Sequence, residues 1–222
     1  MKIKVLLTVA IVISLSASVI GVEKYAASKI VASVEQSMPR AKGVSAAFPI
    51  TNLPGALTAN TIKSVDIKIE EYFIKGINEN VSLEISATDV SKSSPTTIGS
   101  LDVVATIPAS TIIKSSGFSD AKIVDNALQV SVGSGGLGQA LLIPKYSGNT
   151  LFFELKGVYL FGNEIPASSL PSDIQDQIKK KSTRNLDIPK ELKVISVSID
   201  AKGLSVKLHG DDIELDKLGA SL

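Results

Sequence analysis

The sequence predicts an α+β fold, in which a long N-terminal helix packs in a curled antiparallel β-sheet. Apolar residues recur at every fourth position from Val22 to Met38, and at every second position beyond Arg40. The links between the alternating stretches are short and polar, which is typical of antiparallel connections rather than crossover helices. At 222 residues the chain can form one substantial domain, and two small domains are the alternative.

The N-terminal 22 residues have the pattern of an export segment. Lys2 and Lys4 precede a run from Val5 to Val22 that contains no charged residue. Its length lies between the apolar region of a signal peptide, about 7–15 residues, and a spanning helix, about 17–25 residues. Ser16–Ser18 offers a small-residue cleavage site, whereas retention would leave a membrane anchor. Residues 1–22 are therefore predicted to be a signal peptide or membrane anchor, and residues 23–222 an extracytoplasmic domain of the cell envelope, membrane-anchored or secreted.

The predicted N-terminal helix is amphipathic and ends at Pro39. Its apolar stripe consists of Val22, Ala26, Ile30, Val34 and Met38. Two shorter helices are predicted later in the chain, Pro108–Lys114 and Pro171–Lys181. The second has its acidic residues early and its lysines late, in agreement with the helix dipole.

Half-buried strands are predicted wherever apolar and polar residues alternate. Val65–Ile69 and Val81–Ala87 are the clearest, because Asp, Lys, Glu and Ser occupy every second position there. The same alternation returns in Leu101–Ile107, Leu128–Val132, Leu151–Leu155, Ile195–Ile199 and Leu204–Leu208. The polar stretch Ser147–Asn149 is predicted to be a turn between antiparallel strands.

Charge and composition argue against several functional classes. The chain has 23 Lys and Arg against 22 Asp and Glu, so its net charge of +1 provides no field that would attract nucleic acid. The absence of cysteine excludes a thiol nucleophile or a thiolate metal site. The acidic residues are dispersed and give no reason to choose a catalytic pair. We therefore predict no enzymatic activity, no catalytic residue, no cofactor and no metal site. A hydrolase acting on envelope glycans or lipids is the enzymatic alternative, and two close carboxylates in a cleft would favour it.

Two motifs have a chemical interpretation and a simpler one. Gly133–Gly138 matches G-x-G-x-x-G, but a dinucleotide site needs a helix to begin there. Pro144 interrupts the following residues, so we predict a flexible loop between strands and no nucleotide binding. His209 lies beside Asp211 and Asp212. It is interpreted as either a metal ligand or an exposed residue at the end of a strand.

The basic cluster Lys179–Lys181 with Arg184 also has two interpretations. It could contact anionic lipid headgroups, each charge contributing about 1 kcal/mol near such a surface. The alternative is a solvated helix C-terminus. Several apolar clusters are not buried by alternation alone, namely Phe48–Ile50, Leu53–Leu57, Leu137, Leu141–Ile143 and Val158–Phe161. Some are expected to line an interior between helix and sheet, or a cavity there, and core packing is the alternative.

The order of these features resembles a known family. An Ala-rich helix at Tyr25–Val31 is followed by the Phe-Pro segment Phe48–Leu53, a Pro-opened helix at Ile107–Ala109, and a closing Gly-Leu-x-Val-x-Leu-x-Gly strand at Gly203–Gly210. In this order the chain resembles the LmeA family of actinobacterial phospholipid-binding proteins, formerly a domain of unknown function. The chain departs from that pattern at Pro54, where members more often continue a Leu-rich segment.

The resemblance implies a helix cradled by a curved antiparallel sheet, similar to tubular lipid-binding domains, with acyl chains held in an apolar groove. It implies non-enzymatic phospholipid binding in the bacterial cell envelope, in support of envelope lipid or glycolipid metabolism or transport. The partners would be a phospholipid or related acyl-chain lipid and the plasma membrane. The residues expected to bind lipid are Ile30, Val34, Phe48, Leu53, Leu57, Leu141, Leu142, Phe153, Leu155 and Phe161. The alternative function is an exported scaffold or adhesion domain that binds a protein partner through an exposed apolar patch.

Overall fold

The computed structural model describes residues 23–48, 60–74, 79–91, 95–116, 120–132, 138–169, 172–186 and 188–214. The predicted export segment, the predicted lipid-binding residues Leu53 and Leu57, and residues 133–137 of the glycine motif lie outside these ranges. The elements in chain order are α1 (Glu23–Ser37), β1 (Ala41–Ala47), β2 (Thr61–Ile74), β3 (Glu79–Ser91), β4 (Thr97–Pro108), α2 (Ala109–Ser116), β5 (Lys122–Val124), β6 (Ala127–Val132), β7 (Gly138–Ser147), β8 (Thr150–Leu160), β9 (Asn163–Pro166), a short 3₁₀ helix (Ala167–Ser169), α3 (Ser172–Ser182), β10 (Arg184–Asn185), β11 (Lys193–Asp200) and β12 (Gly203–Glu214).

Most of the described chain is antiparallel β-sheet. Within the described ranges the strands form two six-stranded sheets, one in the order β1-β2-β3-β4-β12-β11 and one in the order β10-β8-β7-β6-β5 with β9 paired to β8. The strand pairs with a described register are antiparallel. The chain is therefore a β-rich α+β protein.

The described residues group into two compact units. The central unit comprises Thr106–Asp187 and Ser196–Val206. The N-terminal unit comprises the residues before Thr106, Ile188–Ile195 and the residues from Lys207 onward. The second sheet belongs to the central unit, and so do the two short helices α2 and α3.

The strands predicted from alternation are present. In β2 the side chains of Val65, Ile67 and Ile69 are buried, and the polar residues between them are exposed. Ile195 in β11 departs from this pattern, because it is 55% exposed although its position predicts burial. Because β11 is the last strand in its sheet order, its side chains have a neighbouring strand on one side only.

Strand β7 is not predicted by the sequence analysis, because Pro144 is interpreted there as an interruption. In the structure β7 runs through Pro144, which lies opposite Phe153 of β8. The pairing of β7 with β6 ends at Leu142, so Pro144 lies beyond it. Because Pro144 does not face β6, its lack of a backbone N–H breaks no hydrogen bond to that strand. Proline is tolerated at such positions in a sheet.

Helices α1, α2 and α3 lie where the sequence predicts helices, but they are modest in length. Helix α1 has 15 residues, and Ile30, Val34 and Met38 are buried along its apolar stripe. Its main contact is with β1, the strand that follows it. The described residues therefore do not support the prediction of a long N-terminal helix packed in a curled sheet. Helices α2 and α3 each begin one residue after the predicted position.

Two-residue turns connect neighbouring strands of the second sheet. The turns Asp125–Asn126, Gly148–Asn149 and Phe161–Gly162 each have a positive φ at both residues. This is the signature of type I′ turns, whose twist matches that of antiparallel strands. The turn predicted at Ser147–Asn149 is confirmed.

Candidate functional site

The site that the sequence analysis predicts requires an apolar surface, and the second sheet contains one. Leu128 of β6 lies opposite Leu142 of β7, and Leu142 lies opposite Leu155 of β8. All three side chains are buried. Because directly opposite residues of antiparallel strands have Cβ atoms about 4.5–5.5 Å apart, the three side chains form a continuous line that we call the leucine row.

A second apolar row runs parallel to the leucine row. Val130, Ala140 and Val158 lie opposite one another on the same three strands, and Ile165 of β9 lies opposite Val158. The first three are buried and Ile165 is half-buried. Together with the leucine row they form the apolar face of the second sheet. Aliphatic side chains of this kind offer van der Waals contact and burial to a hydrocarbon, without chemical specificity.

The other face of the same sheet carries polar pairs beside apolar side chains, which include the buried Leu141 and Phe152. There the Gln129 amide donates to Oε1 of Gln139 at 2.6 Å, and the ammonium of Lys145 lies 3.8 Å from a carboxylate oxygen of Glu154. These residues occupy the positions between the apolar ones, since successive side chains in a strand point to opposite faces. The two aliphatic rows therefore lie on one face of the sheet only.

A β-bulge brings the strands into this arrangement. Leu141 lies opposite Gly157 while the next residue, Leu142, lies opposite Leu155, so Lys156 is an extra residue in β8. The extra residue allows Leu155 and Val158 to share a face although they are three positions apart. Simple alternation along β8 would place them on opposite faces.

The structure brings together only part of the predicted lipid-binding set. Leu142, Leu155 and Phe153 are on the apolar face of the second sheet, by register and by alternation along β8. Leu141 is buried on the opposite face, and Phe161 is a turn residue that is 81% exposed. Phe161 therefore does not line an interior in the central unit, contrary to its predicted place.

The remaining predicted residues are in the other unit or outside the described ranges. Ile30, Val34 and Phe48 are buried in the N-terminal unit. The apolar face includes Leu128, Val130 and Ala140, which the sequence analysis does not assign to the site. Alternation identifies the strand of Leu128 and Val130, but the pairing register that places these residues beside Leu142 and Leu155 is not contained in the pattern.

Helix α3 lies along the edge of β8 that faces away from β7, between the segments of β8 that pair with β10 and β9. The backbone N–H of Phe153 donates to Oγ of Ser182 at 2.9 Å, between the residues that pair with β9 and those that pair with β10. The ammonium of Lys179 lies 4.6 Å from the centre of the Phe152 ring. This lysine of the basic cluster thus makes a cation–π contact within the unit. Lys180 and Arg184 are exposed at the same end of the helix.

His209 lies within β12 rather than at the end of a strand, because β12 continues to Glu214. Its Nδ1 is 3.1 Å from Oδ1 of Asp102 in β4, and its Nε2 is 3.2 Å from Oδ2 of Asp211. Lys207 lies 3.6 Å from the same Asp102 oxygen. These groups form a partly exposed polar network. In the part of the chain that the structure describes, no group of three His, Asp or Glu side chains is arranged to hold a metal ion.

Within the described part of the chain, Tyr159 in the hairpin formed by β8 and β9 has a shifted pKa. Tyr159 donates a hydrogen bond to Oε2 of Glu164 at 3.0 Å. That bond, together with partial burial and the negative charges of Glu164 and Asp125, raises the pKa of the Tyr159 phenol above its ordinary value of 10.0. The native hairpin thus favours the protonated phenol.

We predict that replacing Glu164 by Gln lowers the pKa of Tyr159 toward 10.0, because the carboxylate charge is removed. In the parent protein, the contribution of this pair to stability is present below the pKa of the unfolded tyrosine and is lost as the pH rises through the higher folded pKa. A titration of ring-labelled tyrosine by nuclear magnetic resonance, assigned with Tyr159→Phe, measures the pKa, and urea unfolding over the same pH range measures the contribution to stability. An unchanged Tyr159 pKa in E164Q would contradict the assignment to Glu164.

Within the described ranges no helix is long and apolar enough to cross a membrane. The last residue of the glycine motif, Gly138, begins β7, so the motif leads into a strand rather than a helix.

Comparison of the chain with protein-family models, curated proteins and solved structures finds no match.

Proposed function

We propose that this chain is a non-enzymatic phospholipid-binding protein of the bacterial cell envelope, which supports envelope lipid or glycolipid metabolism or transport. The observation that supports this most directly is the apolar face of the second sheet, with two cross-strand rows of aliphatic residues. In the proposed arrangement the face contributes to a groove for acyl chains, and the fold is of the tubular lipid-binding kind that the family resemblance implies.

The chemistry of an acyl chain suits such a surface. Each buried methylene contributes about 0.8 kcal/mol to binding, so a lipid tail needs contact area rather than hydrogen bonds. In the proposed arrangement the buried residues Leu128, Leu142 and Leu155 form the base of the groove, beneath the ligand. Phe153 and Ile165 are half-buried on the same face, so their side chains are more available to a ligand than those of the leucine row.

The cell-envelope location rests on the sequence. The uncharged run Val5–Val22 follows two lysines, which is the charge order of an exported chain. If the run is retained, it tethers the domain beside a bilayer that can supply the ligand. If it is cleaved, the protein is a diffusible carrier.

The proposal is tested by extracting lipid from the purified full-length chain and identifying it by mass spectrometry. After delipidation, uptake of a fluorescent phosphatidylglycerol is measured for the parent, F153S and K180A. We expect F153S to lower uptake about tenfold, because it removes an aromatic contact from the apolar face. K180A is expected to change uptake less than about fivefold, since one exposed charge contributes about 1 kcal/mol or less at a surface.

Two controls make this test interpretable. Circular dichroism and thermal unfolding of F153S show whether the fold is retained, and F153L restores an apolar side chain and should restore uptake. A purified parent that contains no lipid and takes up none would contradict the proposal. A larger effect of K180A than of F153S would favour adsorption to the lipid surface through charge.

A protein-binding scaffold is the second candidate function. Ile195 is a large apolar side chain in the edge strand β11 and is 55% exposed. An exposed apolar residue of this kind is typical of protein interfaces when it belongs to a contiguous patch. Retention of a specific envelope protein on the immobilised chain, lost in I195S and with no lipid bound, would favour this function.

A further inference from the structure

The hairpin of β8 and β9 presents its turn residues at one end of the second sheet. Leu160 pairs with Asn163, so Phe161 and Gly162 form a two-residue loop. The hairpin stem is well fixed. Val158 is buried, the Tyr159 hydroxyl donates to Glu164, and Gly157 lies so close to the Ile165 carbonyl that a Cβ atom there would be 3.2 Å from the oxygen.

Phe161 is an unusual residue for this position. Its φ is 52°, in the left-handed region that large side chains rarely adopt. The equivalent first turn positions in the same sheet are Asp125, with φ of 49°, and Gly148, with φ of 53°. Asp and Gly are residue types that tolerate this backbone, and Phe is not. The Phe161 side chain disfavours the turn conformation, and because it is 81% exposed it adds little packing that would stabilise the fold.

Backbone outliers of this kind point to a function of the side chain rather than to stability. The residues that follow Phe161 are Gly162, Asn163 and Glu164, which are all exposed. A protein partner would need a contiguous interface of about 800 Å² on each side, which a single aromatic residue among polar neighbours does not provide. A lipid bilayer needs no shaped partner surface, since its interfacial layer accepts individual aromatic side chains.

We propose that Phe161 inserts into the interfacial layer of a lipid bilayer and so holds the tip of the β8–β9 hairpin against the membrane. This inference rests on the proposed function, because a protein that exchanges phospholipid must approach the bilayer that contains it. Because the hairpin stem is already ordered, binding of the Phe161 ring does not require the loss of conformational entropy that ordering a disordered loop would require. The contact is transient, because one aromatic side chain binds a bilayer weakly.

The chain contains no tryptophan, so a single substitution gives a local reporter. The full-length F161W protein is reconstituted in vesicles of equal parts phosphatidylcholine and phosphatidylglycerol. The matched control is G148W, because Gly148 has the same turn position and nearly the same φ, carries no charge and lies at the other end of β8. We expect brominated lipids to quench the indole fluorescence of F161W at least about threefold more than that of G148W, with a blue-shifted emission for F161W only. Equal quenching of the two variants would overturn the proposal.

A second variant tests the consequence for lipid exchange. F161N introduces a residue type that tolerates the turn, so its midpoint of thermal unfolding should be no lower than that of the parent. Its rate of phospholipid transfer between vesicles should fall about tenfold, as expected from the loss of one partly buried aromatic side chain. An unchanged transfer rate would overturn the proposal.

The lipid content of the purified protein separates this proposal from the one on which it rests. If the parent and F161N carry the same amount of phospholipid and the F161W fluorescence is not quenched, the membrane contact is wrong and the lipid-binding function stands. If the F161W fluorescence is quenched and the parent binds no phospholipid, the hairpin contact is supported and the lipid-binding function is contradicted.

Discussion

Replacing Gly203 by alanine is expected to destabilise the protein by about 3 kcal/mol or more. Gly203 begins β12 with a φ of 143°, a conformation that is essentially restricted to glycine. A Cβ atom there would overlap the carbonyl oxygen of Ile107 and lie 2.9 Å from the backbone nitrogen of Ala109. The backbone cannot easily move away, because the Ala109 N–H donates to the Lys202 carbonyl at 3.0 Å.

Equilibrium unfolding in urea measures this effect, with G148A as the control. Gly148 also has a positive φ, 53°, but a Cβ atom there meets nothing within 4 Å. G148A should therefore lower the free energy of unfolding by about 1 kcal/mol, the cost of placing a non-glycine residue at a positive φ. Equal losses for the two variants would show that the close approach at Gly203 has no energetic weight.

A Leu142→Ala variant is expected to lose about 2–5 kcal/mol of unfolding free energy. Leu142 is the central member of the leucine row, with Leu128 on one side and Leu155 on the other. Truncation removes buried methyl groups and leaves a cavity between two residues that are held by their strands. Collapse of the neighbours into the cavity is limited for that reason, which places the expected loss in the upper part of the range.

The control for this prediction is Ile195→Ala, an aliphatic residue of similar size that is 55% exposed in β11. Because it already contacts water, I195A should cost less than about 1 kcal/mol. Urea unfolding followed by circular dichroism measures both variants. A loss in L142A as small as that in I195A would contradict the view that the leucine row is a packed part of the sheet.

The two glycines that bound the motif in β12 lie where other backbone segments approach this strand closely. Gly203 and Gly210 mark the ends of the Gly-Leu-x-Val-x-Leu-x-Gly segment of β12. At Gly210 a Cβ atom would lie 2.5 Å from the carbonyl oxygen of Glu191. Both glycines are therefore positions where another segment of backbone approaches β12, which the spacing alone does not reveal.

Local patterns are sufficient to identify most elements. Alternation at Val65–Ile69 identifies a half-buried strand because the side-chain period of a strand is two, and burial of one face follows from it. The prolines that precede α2 and α3 predict where those helices begin, since proline fixes φ at the first turn. In contrast, Pro144 is misleading. Proline has no backbone N–H, so it breaks a strand only where a neighbouring strand would accept a hydrogen bond from that position. The neighbouring strand can be far away in sequence.

Local patterns therefore predict the strand-rich composition, the one-sided character of the strands and the positions of the helices, because these depend on residues within a few positions of one another. The arrangement of the candidate site is visible only in the folded structure. The bulge at Lys156 sets the register that aligns Leu142 with Leu155, the type I′ turn exposes Phe161, and the sheet brings Asp102 to His209 across 107 positions. Such pairings depend on which strands become neighbours, and a periodic pattern carries no information about its partner.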